Sequence, residues 1–187
     1  MTFMPSLGEE ATTFEVFSKY PDLYGPFVAF SESAFRGKGP LSIAERQFLF
    51  TYVSRLNECR YCAGGHEAIV EALGMKGKLL DEAIENIETA SIEDRFKPLL
   101  SYIKKLTEEP TRMTQADADA VFAAGWSEEA LERAIALCCL ANFMNRLVEA
   151  HGIAAPPEDF ARRAELAIEH GYLEPFLKMT GRSQEKE

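Results

Sequence analysis

Apolar side chains recur along this chain at the spacing of an α-helix, and this period is what most limits the folds it can adopt. Runs with the period of two that strands show are few, and the Asn-Gly and Asp-Gly pairs that mark hairpins do not occur. An apolar residue every three or four positions places one stripe of each helix towards a core. The sequence therefore predicts an all-α protein.

Caps and glycines mark the predicted helix ends in the first half of the chain. Ser42, with Glu45 three residues later, has the spacing of a capping box. Asn57 is expected to cap the next helix, which stops at Gly74. The predicted helices here cover about residues 22–35, 42–57, 58–73 and 78–89.

The second half shows similar signals, with Thr114 and Ser127 as N-caps. The helix after Ser127 is apolar on most of its circumference, which predicts a central buried helix or an oligomer interface. Its Cys138 and Cys139 are predicted to be inert core thiols. The predicted helices cover about residues 92–108, 114–125 and 157–170, with a further one that starts after Ser127, and the tail 181–187 is predicted to be disordered.

Length and composition favour one globular unit. The chain has 187 residues, of which 47% are hydrophobic, so it can bury a core without disulfide staples. No low-complexity linker interrupts it. We therefore expect a single domain over residues 1–187, with a core at 20–153 and a C-terminal helix and flexible tail at 154–187.

Net charge and cysteine content indicate which partners the protein is expected to bind and in which compartment it is expected to work. A net charge of -10 disfavours binding to nucleic acid or to anionic membranes, so small molecules or proteins are the expected partners. The longest apolar run, Ala134 to Ala141, is far shorter than the roughly 18 residues of a membrane span. The N-terminus does not have the pattern of a signal peptide, and four cysteines fit a reducing cytoplasm.

Cys59, Cys62 and His66 form the densest group of reactive side chains in the sequence. On a helix these positions share one face, so the imidazole is expected to reach the thiol of Cys62. The positive end of the helix dipole and a neighbouring His both lower a thiol pKa. The spacing predicts a redox-active dithiol.

The group also has other interpretations. One is two buried thiols with a core histidine and no redox role. A structural zinc site needs a fourth ligand, and neither His151 nor His170 offers a matching pair. Haem c attachment requires His in place of Ala63, and thioredoxin-like motifs follow a strand. We expect no metal and no cofactor.

The stretch LSIAERQFLFTYVSRLNECRYCAGGH, residues 41–66, resembles the signature of the AhpD-like alkylhydroperoxidases of the carboxymuconolactone decarboxylase superfamily. Residues 99–131 and 141–153 are similar to its peroxidase-related branch, so the resemblance covers about residues 20–153. It implies an all-helical bundle without a prosthetic group, assembled as a homo-oligomer, commonly a trimer or hexamer.

The resemblance also implies roles for individual residues. Cys62 would be the peroxidatic thiol that attacks a small hydroperoxide, Cys59 the resolving thiol, and His66 part of a proton relay. A dithiol-bearing protein would restore the reduced pair. Gln47 stands where the family relay has a Glu, and a carboxamide cannot take up a proton, which predicts weakened peroxidase activity. A redox sensor without catalysis, and the decarboxylase or lactone chemistry of the wider superfamily, are the alternatives.

Overall fold

The computed structural model describes residues 2–154 and 157–182, which contain α-helices, short 3-10 turns and no strand. This confirms the all-α prediction. The helices are α1 (Thr13–Lys19), α2 (Pro21–Arg36), α3 (Ile43–Leu56), α4 (Arg60–Ala72), α5 (Lys78–Glu85), α6 (Lys97–Glu108), α7 (Gln115–Ala123), α8 (Glu128–His151), α9 (Phe160–His170) and α10 (Leu173–Thr180).

The helix starts predicted at Ser42, Thr114 and Ser127 are confirmed. The Ser42 hydroxyl accepts from the backbone N–H of Glu45 at 3.2 Å, and the Glu45 carboxylate accepts from the backbone N–H of Ser42 at 2.7 Å. Thr114 forms a second capping box, and Ser127 caps α8. These contacts satisfy backbone donors that a helix start leaves unpaired.

Two helices were missed, and two boundary predictions are wrong. α1 and α10 were not predicted, and α5 ends at Glu85 because Asn86 takes up extended backbone at φ −160°. Asn57 does not cap α4, since Cys59 occupies that position. The Asn57 amide instead donates to the side chains of Asn142 and Asn145 at 3.1 and 2.9 Å.

α3 is the central helix, and it packs against α4, α5, α6 and α8. Its run Phe48–Val53 is almost completely shielded from solvent. Burying such side chains stabilises the fold by about 1.5–3 kcal/mol each, before the entropy cost of ordering the chain. α3 is therefore the element on which the site is built.

α8 is buried along one side only. Cys138 is buried, as predicted, whereas Cys139 is exposed, so the prediction of two core thiols is wrong for Cys139. Phe143, one turn further along, is also exposed, at 44%. Adjacent residues on a helix point about 100° apart, which explains the different fates of the two thiols. No helix within the described parts of the chain is long and apolar enough to cross a membrane.

The C-terminal segment packs on the core. α9 lies against α4, where Gly64 allows close approach, because a Cβ at that position would stand 2.2 Å from the ring of Phe160. α10 packs on α2, and the Glu32 carboxylate of α2 accepts from the backbone N–H of Tyr172 at 2.7 Å. In the predicted disordered tail, Arg182 contacts α2, whereas residues 183–187 lie outside the described residues.

Candidate active site

A tight turn between α3 and α4 places the two cysteines. Glu58 in this turn has a positive φ of 57°, a conformation that side chains other than glycine rarely adopt. Cys59 follows as the N-cap of α4, with its backbone N–H bonded to the carbonyl of Ser54 at 3.0 Å. Cys62 lies one turn into the helix. Both are free thiols, 0% and 3% exposed.

The interaction between the two thiols shifts their pKa values in opposite directions. The Cys62 thiol and, more weakly, its backbone N–H lower the pKa of Cys59 against the effect of burial. The same hydrogen bond, followed by burial, raises the pKa of Cys62. Cys59 is therefore the more acidic thiol of the pair.

Two side chains of α8 contact this pair. Asn145 is 2% exposed, accepts from Asn57 and donates to Ser54 at 3.0 Å. It also bonds to Cys62, where it opposes the raising of the Cys62 pKa by Cys59 and burial. The Glu149 carboxylate lies beside Cys59 and favours the protonated form of that thiol. Asn145 therefore joins helices and also lies beside Cys62.

His66 is held by Gln47 rather than by a cysteine. Its Nδ1 lies 2.6 Å from Oε1 of Gln47, and the Gln47 amide donates to the Tyr172 hydroxyl at 3.1 Å. Because the amide nitrogen is committed to Tyr172, Oε1 must accept, and Nδ1 of His66 must carry the proton. The unprotonated Nε2 makes no hydrogen bond within the described residues.

Aromatic packing keeps this imidazole neutral. Its ring lies 4.1 Å from that of Phe50 and 5.2 Å from that of Phe35, measured between centroids. Burial, helped by the charge of Arg163, lowers the pKa of His66 to about 3. At neutral pH, His66 is therefore a weak proton acceptor with a fixed orientation.

The structure does not show the expected contact between His66 and Cys62. Both line the same cavity, yet no hydrogen bond within residues 2–154 and 157–182 joins them. The imidazole turns its Nδ1 towards Gln47 on α3 instead. A proton exchanged between His66 and Cys62 would have to pass through a molecule held between them.

The cavity has a volume of about 440 Å³, and only one of the two cysteines can be reached from it. Cys62 lines it, whereas Cys59 does not. Leu166 and Met179, which also line it, are 47% and 49% exposed, so the cavity opens beside α9 and α10. Its wall is mainly apolar, and its aromatic members are Phe14, Phe17, Phe27, Phe35, Phe50, Tyr61 and Tyr172.

The C-terminal segment supplies site residues that sequence reasoning missed. Tyr172 holds Gln47, and Arg163 and His170 line the cavity. Gly171, with a φ of 69°, was the available signal, because it ends α9 and marks the turn into a further helix. No cluster of His, Cys, Asp or Glu suited to a metal ion occurs in the part of the chain that the structure describes.

Neither a protein-family model nor a curated protein matches this chain. Several solved structures do match this chain. An alkylhydroperoxidase AhpD core protein, an uncharacterized peroxidase-related protein from Ralstonia eutropha JMP134, has a TM-score of 0.71 at 23% identity, over 80% of this chain and 78% of its own. A peroxidase-related protein from Silicibacter sp. TM1040 has a TM-score of 0.72 at 22% identity, over 78% and 76%.

The debrominase Bmp8, a cysteine-to-alanine variant in complex with 2,3,4-tribromopyrrole, has a TM-score of 0.64 at 18% identity, over 81% of both chains. Together these likenesses establish that the chain has the AhpD-like fold, which confirms the resemblance at the level of architecture. Within that fold, the candidate site is a Cys-x-x-Cys pair of which Cys62 lies at the wall of a mostly apolar cavity.

Proposed function

We propose that this protein is a dithiol oxidoreductase that reduces an apolar organic hydroperoxide at Cys62. The observation that carries the proposal is the unequal access of the two thiols. Cys62 faces a cavity of about 440 Å³, and Cys59 lies outside the cavity wall, close enough to Cys62 for that thiol to lower its pKa. A nucleophile in reach of substrate, with a resolving thiol out of reach, is the arrangement that a dithiol peroxidase needs.

The reaction balances with the groups at hand. Cys62 sulfur attacks the terminal oxygen of the hydroperoxide, the O–O bond breaks, and the thiol proton goes to the leaving alkoxide, giving an alcohol and a Cys62 sulfenic acid. The Cys59 thiolate then attacks that sulfur, and the hydroxyl leaves as water once protonated. The products are an alcohol, water and a disulfide. A dithiol-bearing protein, oxidised in turn, restores the pair.

His66 and Gln47 have positioning and proton-transfer roles in this scheme. Gln47 fixes the tautomer in which Nε2 of His66 is the acceptor. Nε2 takes a proton from Cys62 through the bound hydroperoxide and returns it to the alkoxide. The low pKa of His66, caused by burial, makes this transfer slow. We therefore propose a peroxidase of modest rate.

A second candidate is a redox sensor that oxidises once per signal. The raised pKa of Cys62, caused by its hydrogen bond to Cys59 and by burial, favours slow oxidation of this kind. Against it stands the large cavity, which a thiol oxidised by hydrogen peroxide alone does not require. Turnover with an organic hydroperoxide separates the two, because a sensor gives one equivalent of alcohol and stops.

The test is steady turnover of cumene hydroperoxide with dithiothreitol as reductant. We expect Cys62→Ser to abolish alcohol formation. Cys139→Ser is the matched control, because this exposed thiol lies outside the cavity, and it should retain the full rate. Unchanged turnover in Cys62→Ser would overturn the proposal.

A parallel reaction with tribromopyrrole tests a related chemistry. Bmp8, which shares the fold, is a debrominase. A dithiol can remove bromine reductively, since the aryl bromide and two thiols yield the arene, hydrogen bromide and a disulfide. Consumption of the bromide with no consumption of hydroperoxide would reassign the substrate while keeping Cys62 as the nucleophile.

We also propose that the protein forms a homo-oligomer. Phe143 on α8 and Leu23 and Phe30 on α2 are 44%, 68% and 46% exposed. Exposed apolar side chains of this size are often covered by a second subunit. Sedimentation velocity tests this directly, and a monomer at micromolar concentration would contradict it.

A further inference from the structure

Two cations, Arg163 and Lys178, line the mostly apolar cavity. Arg163 of α9 places its guanidinium 4.5 Å from the ring centroid of Tyr61 and donates to the Tyr61 hydroxyl. Tyr61 directly precedes Cys62 in α4, and both residues line the cavity with Arg163. The charge therefore stands in the same cavity as the nucleophile.

This charge has no carboxylate partner among the described residues. Lys178 at the cavity mouth is paired with Glu174 at 2.5 Å. Arg163 is in no such ion pair within residues 2–154 and 157–182. Glu15, an acid close enough to interact with it, is held by the capping contacts of Thr12 at 2.8 and 2.5 Å.

The guanidinium also has donors to spare. It carries five N–H groups, and Tyr61 uses one of them. Stacking on Tyr61 fixes its plane, which leaves a preorganised fork for a planar anion. A partly buried cation that no carboxylate contacts directly is stabilised when a ligand supplies the opposite charge.

On the basis of the proposed function, we propose that the cavity takes an organic hydroperoxide that carries a carboxylate, with Arg163 binding the carboxylate and the aromatic wall holding the apolar body. The volume of about 440 Å³ lies in the range of small-molecule pockets. The ligand is thus an apolar monocarboxylic acid, aliphatic or aromatic, oxidised to the hydroperoxide.

Binding of unreactive acids tests this without relying on turnover. Decanoate and its methyl ester, and 4-phenylbutyrate and its methyl ester, are titrated into the reduced wild-type protein by calorimetry. We expect each acid that fits to bind about tenfold to a hundredfold more tightly than its ester, as for a charge-assisted hydrogen bond. The acid that binds more tightly shows whether the body is aliphatic or aromatic.

Variants locate the effect. Arg163→Met should abolish the preference for acid over ester while keeping the affinity for the ester, and Arg163→Lys should retain part of the preference. Arg162→Met is the matched control, because Arg162 is the exposed neighbour on the same helix, and it should behave as the wild type. Retained ester binding shows that a variant is folded.

Equal affinity for acid and ester in the wild type, no binding of either, or an unchanged preference in Arg163→Met would overturn the inference. Failure of the peroxidase proposal is a different result. It appears as absent turnover of the neutral cumene hydroperoxide, whatever the acids bind.

Discussion

Replacing Gln47 by Glu tests how the site handles protons. Oε1 of Gln47 lies 2.6 Å from Nδ1 of His66, so a carboxylate there would face the imidazole directly. Tyr172 would turn its free hydroxyl proton towards the carboxylate, in place of accepting from the Gln47 amide. The change therefore adds a charge while keeping the hydrogen-bond geometry.

The size of the effect follows from the distance between the charges. Opposite charges about 4 Å apart interact by about 4 kcal/mol at an effective dielectric constant of about 20. That free energy corresponds to about a thousandfold higher proton affinity of His66. If about half of it is expressed in the proton-transfer step, the rate of hydroperoxide reduction rises about thirtyfold.

Two measurements check this prediction. NMR titration of His66 should show its pKa well above the value of about 3 that burial imposes in the wild type. Single-turnover release of alcohol from cumene hydroperoxide should be faster in Gln47→Glu. Gln47→Met, which has a similar volume and no charge, is the control and should not accelerate. An unchanged His66 pKa together with an unchanged rate would refute the reasoning.

Three further predictions concern stability. The pKa of His66 is lowered in the folded state, so the unfolded state binds the extra proton as the pH falls. The free energy of unfolding should therefore decrease between about pH 6.5 and 3, by up to about 1.4 kcal/mol per pH unit. Urea unfolding of the wild type and of His66→Gln over this pH range isolates the effect, and parallel curves would contradict it. Gly65→Ala should stabilise the protein by about 0.5–1 kcal/mol, because no atom lies near the added Cβ. Gly64→Ala should destabilise it by about 1–3 kcal/mol, because the added Cβ would meet the ring of Phe160. Thermal unfolding temperatures that shift in the same direction in both variants would contradict this packing. Asn145→Ala should lower the free energy of unfolding in urea by about 1–3 kcal/mol, because it leaves its polar partners, the buried Ser54 and the half-buried Asn57, without these hydrogen bonds. A decrease below about 0.5 kcal/mol would show that these hydrogen bonds contribute little.

Local signals in the sequence were sufficient for most of the helices. Helices start at Ser42 and Ser127 because their hydroxyls accept from backbone N–H groups three residues away, and at Thr114 because its backbone N–H donates to the Asp117 carboxylate three residues on. Such contacts depend on the neighbouring residues alone. The all-helical class followed from the same short-range patterns, and the AhpD-like likeness followed from the stretch around Cys59 and Cys62.

Contacts between distant segments could not be predicted in this way. Tyr172 reaches Gln47 across 125 positions of sequence, and Arg163 lies over Tyr61 from a helix a hundred residues away. The sequence spacing placed His66 near Cys62, but the imidazole turns towards α3, because only the folded protein supplies the Gln47 oxygen. Asn57 likewise bonds to α8 instead of capping α4.

The measurement that most directly tests the central claim is the site of first oxidation. The reduced Cys59→Ser and Cys62→Ser variants are each treated with one equivalent of cumene hydroperoxide and a sulfenic-acid trap. The modified cysteine is then identified by mass spectrometry, and the amount of alcohol formed is measured. We predict one trapped sulfenic acid at Cys62 per alcohol formed in Cys59→Ser, and neither product in Cys62→Ser. Equally fast trapping at Cys59 in Cys62→Ser, or no alcohol from either variant, would contradict the assignment of Cys62 as the nucleophile.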